Sequence, residues 1–387
     1  MSTYARKDIT FIKGEGVWLW DQHGEKYLDA LSGIAVCGLG HAHPKITDVI
    51  CLQASTLLHT SNIYRISAQE QLGDRLCQVS NMDRAFFCNS GAEANEAAIK
   101  LARLHGHKQD IEIPTIIVCE NSFHGRTMAT LTATGNRKAH AGFEPLVAGF
   151  IRAPFNDSAT IAEICKNNSS VCAIFVEPIQ GEGGIHIPSE SYLQELRDIC
   201  DQHNLLLMLD EIQTGNGRTG KWFACQHQKV LPDVMTTAKG LGNGVPIGAC
   251  LARGVAAELF SPGSHGSTFG GNPLACATAL QVIATIEEED LLSHAASMGQ
   301  LLVDSLKQKL SGHSLLKDIR SCGLMIGVEL TTPCAAIVDL ALEKKLLVNV
   351  TADNVIRMLP PLITSKDEIA IIVNLISECI EDFQQQI

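Results

Sequence analysis

Two residue types placed a short distance apart set the chemistry this chain can do. Asp210 follows directly on the apolar run Leu205-Leu206-Leu207-Met208-Leu209, so a carboxylate is delivered at the end of a buried strand. Further on, Lys239 stands in Thr237-Ala238-Lys239-Gly240, ahead of the Gly-rich Leu241-Gly242-Asn243-Gly244. A lysine amine condenses with an aldehyde to form a Schiff base, and a carboxylate keeps a pyridine nitrogen protonated so that the ring acts as an electron sink. Those are the two groups that pyridoxal phosphate (PLP) requires.

Each of these residues also has a plainer reading. A partly buried Asp210 needs a cationic partner, and a structural ion pair would serve as well as a cofactor. A lone lysine is most often solvated. Ser90 and Glu93 form a capping box, with Gly91 and Ala92 leaving backbone N–H groups open to a phosphate, but capping boxes are common at helix starts that bind nothing. Phe123 could stack on a planar ring and Arg126 could grip a carboxylate; a core Phe and a surface Arg fit the sequence equally. Ile212 could pack on the ring face opposite Phe123, and Gln213 could bond a phenolic oxygen. Ser267 and Thr268 lie in a second Gly-rich loop that also reads as a turn feeding a helix at Pro273. His41 and His43 lack a third ligand at useful spacing, so no metal is expected.

The elements that would position these residues follow from hydrophobic pattern. Arg84–Cys88, Thr115–Cys119, Val171–Val176, Leu205–Leu209, Val234–Thr237 and Pro246–Ala252 read as strands. Several are continuously apolar and they alternate with helical stretches, which argues an α/β fold with a mostly parallel sheet covered on both faces. Open sheets of this kind bind ligands beyond the carboxyl ends of their strands, where Ser90, Glu120, Glu177 and Asp210 all fall. Residues 11–30 read as a hairpin with its turn at Asp21–Gly24. The C-terminal third reads as α+β. We therefore expect an N-terminal segment (1–50) completing a small domain with 290–387, and a large domain over 51–289.

Bulk properties narrow the function classes. A formal net charge of −12 disfavours nonspecific nucleic-acid binding. Apolar runs such as Val171–Val176 fall far short of the roughly 20 residues of a membrane span. The 14 cysteines contain no CxxC pair and sit largely in apolar segments, which implies reduced thiols and a cytoplasmic protein.

Taken in order, Ser90-Gly91-Ala92-Glu93-Ala94, Phe123-His124-Gly125-Arg126-Thr127, the run Val176 to Gly184, Asp210 to Gly215, Thr237-Ala238-Lys239-Gly240 and Ser267 to Pro273 resemble the class III (ω-amino acid) aminotransferases of PLP fold type I. The resemblance extends from about Phe11 to the C-terminus. It implies that Lys239 carries the cofactor and moves the substrate proton, and that Asp210 pairs with the ring nitrogen and Gln213 with the ring oxygen. It gives Gly91 and Ala92 to the phosphate, and counts Ser90, Phe123, Glu177, Glu211 and Ile212 with the cofactor-binding set. Thr268 is implied to reach the phosphate of a second subunit's cofactor, hence a homodimer. Arg126 and Ser267 are implied to hold the amino donor. Arg357 is similar to the family's second carboxylate-binding Arg, with Glu182 pairing to it when no substrate carboxylate is there. Ser32-Gly33-Ile34-Ala35-Val36 resembles the branch that moves the δ-amino group of N2-acetyl-L-ornithine to 2-oxoglutarate, with succinyl-diaminopimelate as a further donor. Free ornithine or 4-aminobutyrate is the nearest alternative, and a non-catalytic PLP-binding protein on the same scaffold is the rival from another class.

Overall fold

The computed structural model describes residues 1–386. Phe11–Glu15 (β1), Trp18–Asp21 (β2) and Lys26–Asp29 (β3) form an antiparallel meander. Its turn is tied by Asp21 Oδ1, which accepts from His23 N and Glu25 N at 2.9 Å each, the local bonding that makes Asp a turn residue.

The large sheet contains Arg84–Cys88 (β4), Thr115–Cys119 (β5), Phe150–Ala153 (β6), Val171–Val176 (β7), Leu206–Asp210 (β8), Val234–Thr237 (β9) and Gly248–Ala252 (β10), in the order β4-β10-β9-β8-β7-β5-β6. Pairings from β9 through β8, β7 and β5 to β6 are parallel, and β10 runs antiparallel to both its neighbours. Side chains alternate across the sheet as the two-residue period demands. Ile117, Ile174, Leu207 and Leu209 pack on one face with the helices 192–203 and 273–288. Ile116, Val118, Phe175 and Met208 pack on the other with the helix Gly91–Lys108.

Because β4, β5, β7, β8 and β9 point the same way, their carboxyl ends share one edge. This brings Ser90, Phe123, Glu177, Asp210 and Lys239 together although they span about 150 positions of sequence.

A second, antiparallel sheet joins Leu316–Cys322 (β11), Met325–Leu330 (β12), Asn349–Thr351 (β14) and Val355–Met358 (β15), in the order β11-β12-β15-β14. The short strand Leu346–Leu347 (β13) instead pairs parallel with β3. One core then contains Val17, Leu28 and Ile46 from the N-terminal segment together with Leu302, Ile326 and Ile372 from the last third.

Four features depart from expectation. β6 is an extra edge strand; its four residues Phe-Ile-Arg-Ala are too short and too mixed to show a period. β10 starts at Gly248, two residues later than expected, because Pro246 lacks an N–H for the ladder. β11 is a further unexpected strand; its Lys-Asp-Ile-Arg centre is held from the neighbouring strand, where Glu329 takes ion pairs from Lys317 and Arg320. Helices at Met128–Ala133, Ser158–Asn167 and Ile337–Glu343 are too brief for their apolar spacing to stand out.

Candidate active site

The helix Gly91–Lys108 begins at the end of the loop that leaves β4. Ser90 Oγ accepts from Glu93 N at 3.2 Å and donates to Glu93 Oε2 at 3.0 Å, and the same carboxylate takes Asn89 N at 2.8 Å. Ala94 N bonds Ser90 O. The box leaves the Gly91 and Ala92 N–H groups without an intrahelical acceptor, at the positive end of an 18-residue helix. A Cβ at Gly91 would stand 2.7 Å from Ile212 Cδ1, so only glycine lets the loop after β8 approach this closely.

These groups open onto a cavity of about 460 Å³. Ser90, Gly91, Ala92, Phe123, Arg126, Glu177, Asp210, Ile212, Gln213 and Lys239 all line it. An anion-binding helix end, a buried carboxylate and an amine around one flat-walled space fit a phosphorylated pyridine aldehyde.

Asp210 is 4% exposed and its carboxylate is fully engaged. Oδ2 accepts from His124 Nδ1 and from Asn95 Nδ2, each at 2.8 Å, and Oδ1 accepts from Ile212 N at 3.1 Å. Asn95 also donates to His124 O at 2.7 Å and accepts from Thr236 Oγ1 at 2.7 Å. The His124 ring stacks on Phe175 with centroids 4.3 Å apart, and its Nε2 is buried without a partner. That pattern fixes the proton on Nδ1. Neither Asn95 nor His124 was among the expected site residues. His124 lay inside the matched Phe-His-Gly-Arg motif, but nothing in the sequence around Asn95 signals its contact with a carboxylate 115 positions away.

Glu177 is a second buried carboxyl on the same wall. Its oxygens accept from Phe123 N at 2.9 Å and from Gly181 N at 3.3 Å. Burial, reinforced by the Asp210 charge, pushes its pKa well above the ordinary carboxyl value. Lys239 has φ +48°, in the left-handed region. Burial lowers its pKa, against an upward pull from Glu182 and Asp210.

Arg126 lies exposed at the rim, its guanidinium carbon 5.4 Å from the Phe123 ring centre. Arg357 and Glu182 are not on the cavity wall; they meet behind Gln213, where Arg357 is fully buried. Arg357 Nη1 donates to Glu182 Oε1 at 2.7 Å and to Gln213 Oε1 at 3.2 Å, and its Nε to Asn349 Oδ1 at 3.1 Å. Burial acts to raise Glu182, but Arg357 outweighs it and holds that carboxyl below its usual range.

Three further expected residues point away from this cavity. Glu211 turns to the opposite side of the strand, as strand alternation requires one residue after Asp210. It is wholly buried, with its oxygens taken by Ala224 N, Cys225 N and Thr214 Oγ1, so it braces the following loop and does not contact the cofactor space. Ser267 Oγ accepts from Gly270 N at 2.9 Å and from Asn89 Nδ2 at 3.3 Å, which closes its own turn. Thr268 is exposed on a separate recess with His59 and Asn62. Neither Ser267 nor Thr268 serves its own chain's cavity, because the 266–271 loop turns outward.

Residues 3–380 match the family described as aminotransferase class III. The chain is 58% identical to the acetylornithine aminotransferase of Nitrosomonas europaea over 383 residues, which covers 99% of this chain and 98% of that one. Among solved structures, the ornithine aminotransferase of Toxoplasma gondii, described with partial PLP occupancy at its active site, superposes with a TM-score of 0.95 at 33% identity, covering 100% of this chain and 93% of that one. The N-acetylornithine aminotransferase of Stenotrophomonas maltophilia gives 0.87 at 34%, covering 100% and 99%. The fold is therefore PLP fold type I and the cofactor PLP, and with five of the six matched motifs contributing to one cavity, the chain belongs to the class III aminotransferases.

Proposed function

We propose that this enzyme transfers the δ-amino group of N2-acetyl-L-ornithine to 2-oxoglutarate, giving N-acetyl-L-glutamate 5-semialdehyde and L-glutamate, a step of arginine biosynthesis. The observation that carries the reading is that the Lys239 amine and the Asp210 carboxylate line one cavity with the helix end at Gly91 and Ala92. The acylated donor is favoured by the 58% identity to a relative of that name and by Val36 on the cavity wall, at a place where ornithine-specific relatives tend to carry an aromatic residue. Succinyl-diaminopimelate is a second donor of the same shape.

PLP supplies an electron-withdrawing ring that lets an amino group leave one carbon skeleton and join another. The chain does the rest. Gly91 and Ala92 N–H groups hold the phosphate. Asp210, held in place by bonds from His124, Asn95 and Ile212 N, would pair with the ring nitrogen. Phe123 and Ile212 would flank the ring, and Gln213 would meet the ring oxygen. Lys239, with its pKa lowered by burial, would take and return the substrate proton. Arg126 holds the donor's carboxylate. Arg357 takes the second carboxylate of glutamate or 2-oxoglutarate, and Glu182 neutralises it when the donor has none; the 2.7 Å pair supports this exchange.

We further propose a homodimer in which Thr268 and Ser267 serve the second subunit's cavity. Exposed Ile63 (84%), Tyr64 (70%) and Phe269 (62%) near that loop support a covered face. The two cores favour a small domain of 1–50 with 290–387 beside a large domain of 51–289, separable by limited proteolysis. Free thiols at all 14 cysteines suit a cytoplasmic setting, and no described helix is long and apolar enough to cross a membrane.

Steady-state rates with N-acetylornithine, ornithine and 4-aminobutyrate, each against 2-oxoglutarate, test the assignment. Turnover of either free amine equal to or faster than that of N-acetylornithine rejects it.

A further inference from the structure

We infer that Asn216 is a positioning residue for Lys239. It sits in the loop after β8, six residues beyond Asp210, and is 6% exposed. Its φ is +57°, a left-handed conformation that Asn tolerates better than most residues. Its amide nitrogen donates twice, to Thr237 Oγ1 at 2.9 Å and to Ala238 O at 3.1 Å. Those acceptors belong to the two residues immediately before the lysine.

The backbone there needs holding. Lys239 is left-handed at φ +48°, and Ala238 before it has φ −165° and ψ −143°. A lysine has no side-chain bond of its own to stabilise the left-handed region, so the conformation persists only where its surroundings impose it. Relaxation would turn the peptide plane between Ala238 and Lys239, which changes ψ of one and φ of the other together. Ala238 O lies in that plane. It is gripped by Asn216 Nδ2 from one side and by Leu241 N at 3.0 Å from the other. The second hydrogen of the Asn216 amide goes to Thr237 at the end of β9, so the grip is referenced to the rigid sheet. Asn216 also packs over the next residue, since a Cβ at Gly240 would stand 3.4 Å from Asn216 Cβ. The direction in which the Lys239 stem enters the cavity is thereby set by an amide that never touches the cofactor space.

This inference rests on the assignment of Lys239 as the residue that carries PLP, and the test separates the two. Asn216→Gly keeps the left-handed backbone at no steric cost and removes the donors. Asn216→Asp keeps the volume and replaces the donors with acceptors. The full-length enzyme is stripped of PLP and reloaded, and three quantities are read: the rate constant for return of the visible absorbance, kcat, and the melting temperature. For Asn216→Gly we expect the reloading rate constant and kcat each to fall about tenfold, the penalty of a misaligned reactive group, with KM for the amino donor changed less than about twofold and the melting temperature moved by no more than about 3 °C. Asn216→Asp is expected to lose more in both rate constants, and it decides the question if the glycine variant does not fold. Wild-type reloading and kcat in these variants, with or without a lowered melting temperature, would mean that Asn216 only supports the fold, and would overturn the inference. Borohydride fixation followed by peptide mapping of the wild-type protein locates the PLP-bearing residue. Label on Lys239 with unchanged variant kinetics defeats the Asn216 role alone, whereas label elsewhere defeats the underlying assignment as well.

Discussion

Glu177 and Asp210 face the same cavity, yet they are bonded very differently, and the difference is measurable. Asp210 draws two side-chain donors and one backbone N–H, at 2.8, 2.8 and 3.1 Å. Glu177 has two backbone N–H groups, one at 2.9 Å and a weak one at 3.3 Å. Burial and then the charge of Asp210 raise its pKa well above the ordinary 4.5, so folding makes this carboxyl hold its proton more tightly. Glu177→Gln keeps the shape of the side chain and removes that titrating group. Above an ordinary carboxyl pKa the unfolded chain has released this proton and the folded chain still holds it. The unfolded state then binds fewer protons, and wild-type stability falls as pH rises from 4.5 towards the folded pKa. The glutamine variant, which has no proton to release there, escapes that fall. Urea denaturation across pH should show the variant gaining on wild type as pH rises above 4.5, by at most about 1.4 kcal/mol per pH unit. The kcat of Glu177→Gln should stay within about threefold of wild type, while Asp210→Asn, which removes the carboxylate proposed to face the ring nitrogen, should lose on the order of a hundredfold or more. A stability difference that is flat with pH, or a Glu177→Gln enzyme as crippled as Asp210→Asn, refutes the argument.

Other outcomes follow from the same geometry. His124→Phe keeps the stack on Phe175 and removes both the charge-assisted bond to Asp210 and the orphaned Nε2; the net cost in urea denaturation should be about 1–2 kcal/mol, and no cost would mean the bond is idle. Gly91→Ala pushes a Cβ to 2.7 Å from the flexible end of Ile212, so PLP should dissociate about tenfold more readily in a titration, with melting little changed. His41 has its pKa raised from 6.5 to about 9 by the hydrogen bond it donates to Asp29, with help from Cys37. Its contribution is complete below pH 6.5 and lost as pH rises through about 9, so the stability advantage of wild type over His41→Gln should shrink by about 2 kcal/mol across that window, roughly half the full value because water partly reaches the ring; an advantage constant with pH would reject the coupling.

Much of the large sheet was legible because its inner strands are buried on both faces and so read as unbroken apolar runs, as Val171–Val176 does. The edges were not. β6 and β11 carry charges inside their strands, and what makes them strands is the partner they pair with. The parallel pairing of β3 with β13 depends on contacts across 318 positions, such as Leu28 with Leu346, that no local pattern records.

The site divides along a similar line, and the division has a physical cause. A group proposed to meet the cofactor must have a particular chemistry, an amine, a carboxylate or a bare N–H, so Lys239, Asp210 and Gly91 stand out as candidates by type and by their place at strand ends. A group that holds those residues still needs only a donor at the right point in space, and many residue types and positions can supply one. Asn95 reaches Asp210 from one helix turn past Gly91, His124 from the loop after β5, and Asn216 reaches the Ala238 carbonyl just before the lysine from the preceding loop. Glu211 is the converse case: its acidic type and its neighbour Asp210 suggested chemistry, but one step along a strand reverses the side chain, and its carboxylate ended up capping the backbone at 224–225. Residue type therefore locates the reacting groups of this enzyme, and only the fold separates the groups that position them from those that merely stand beside them in sequence.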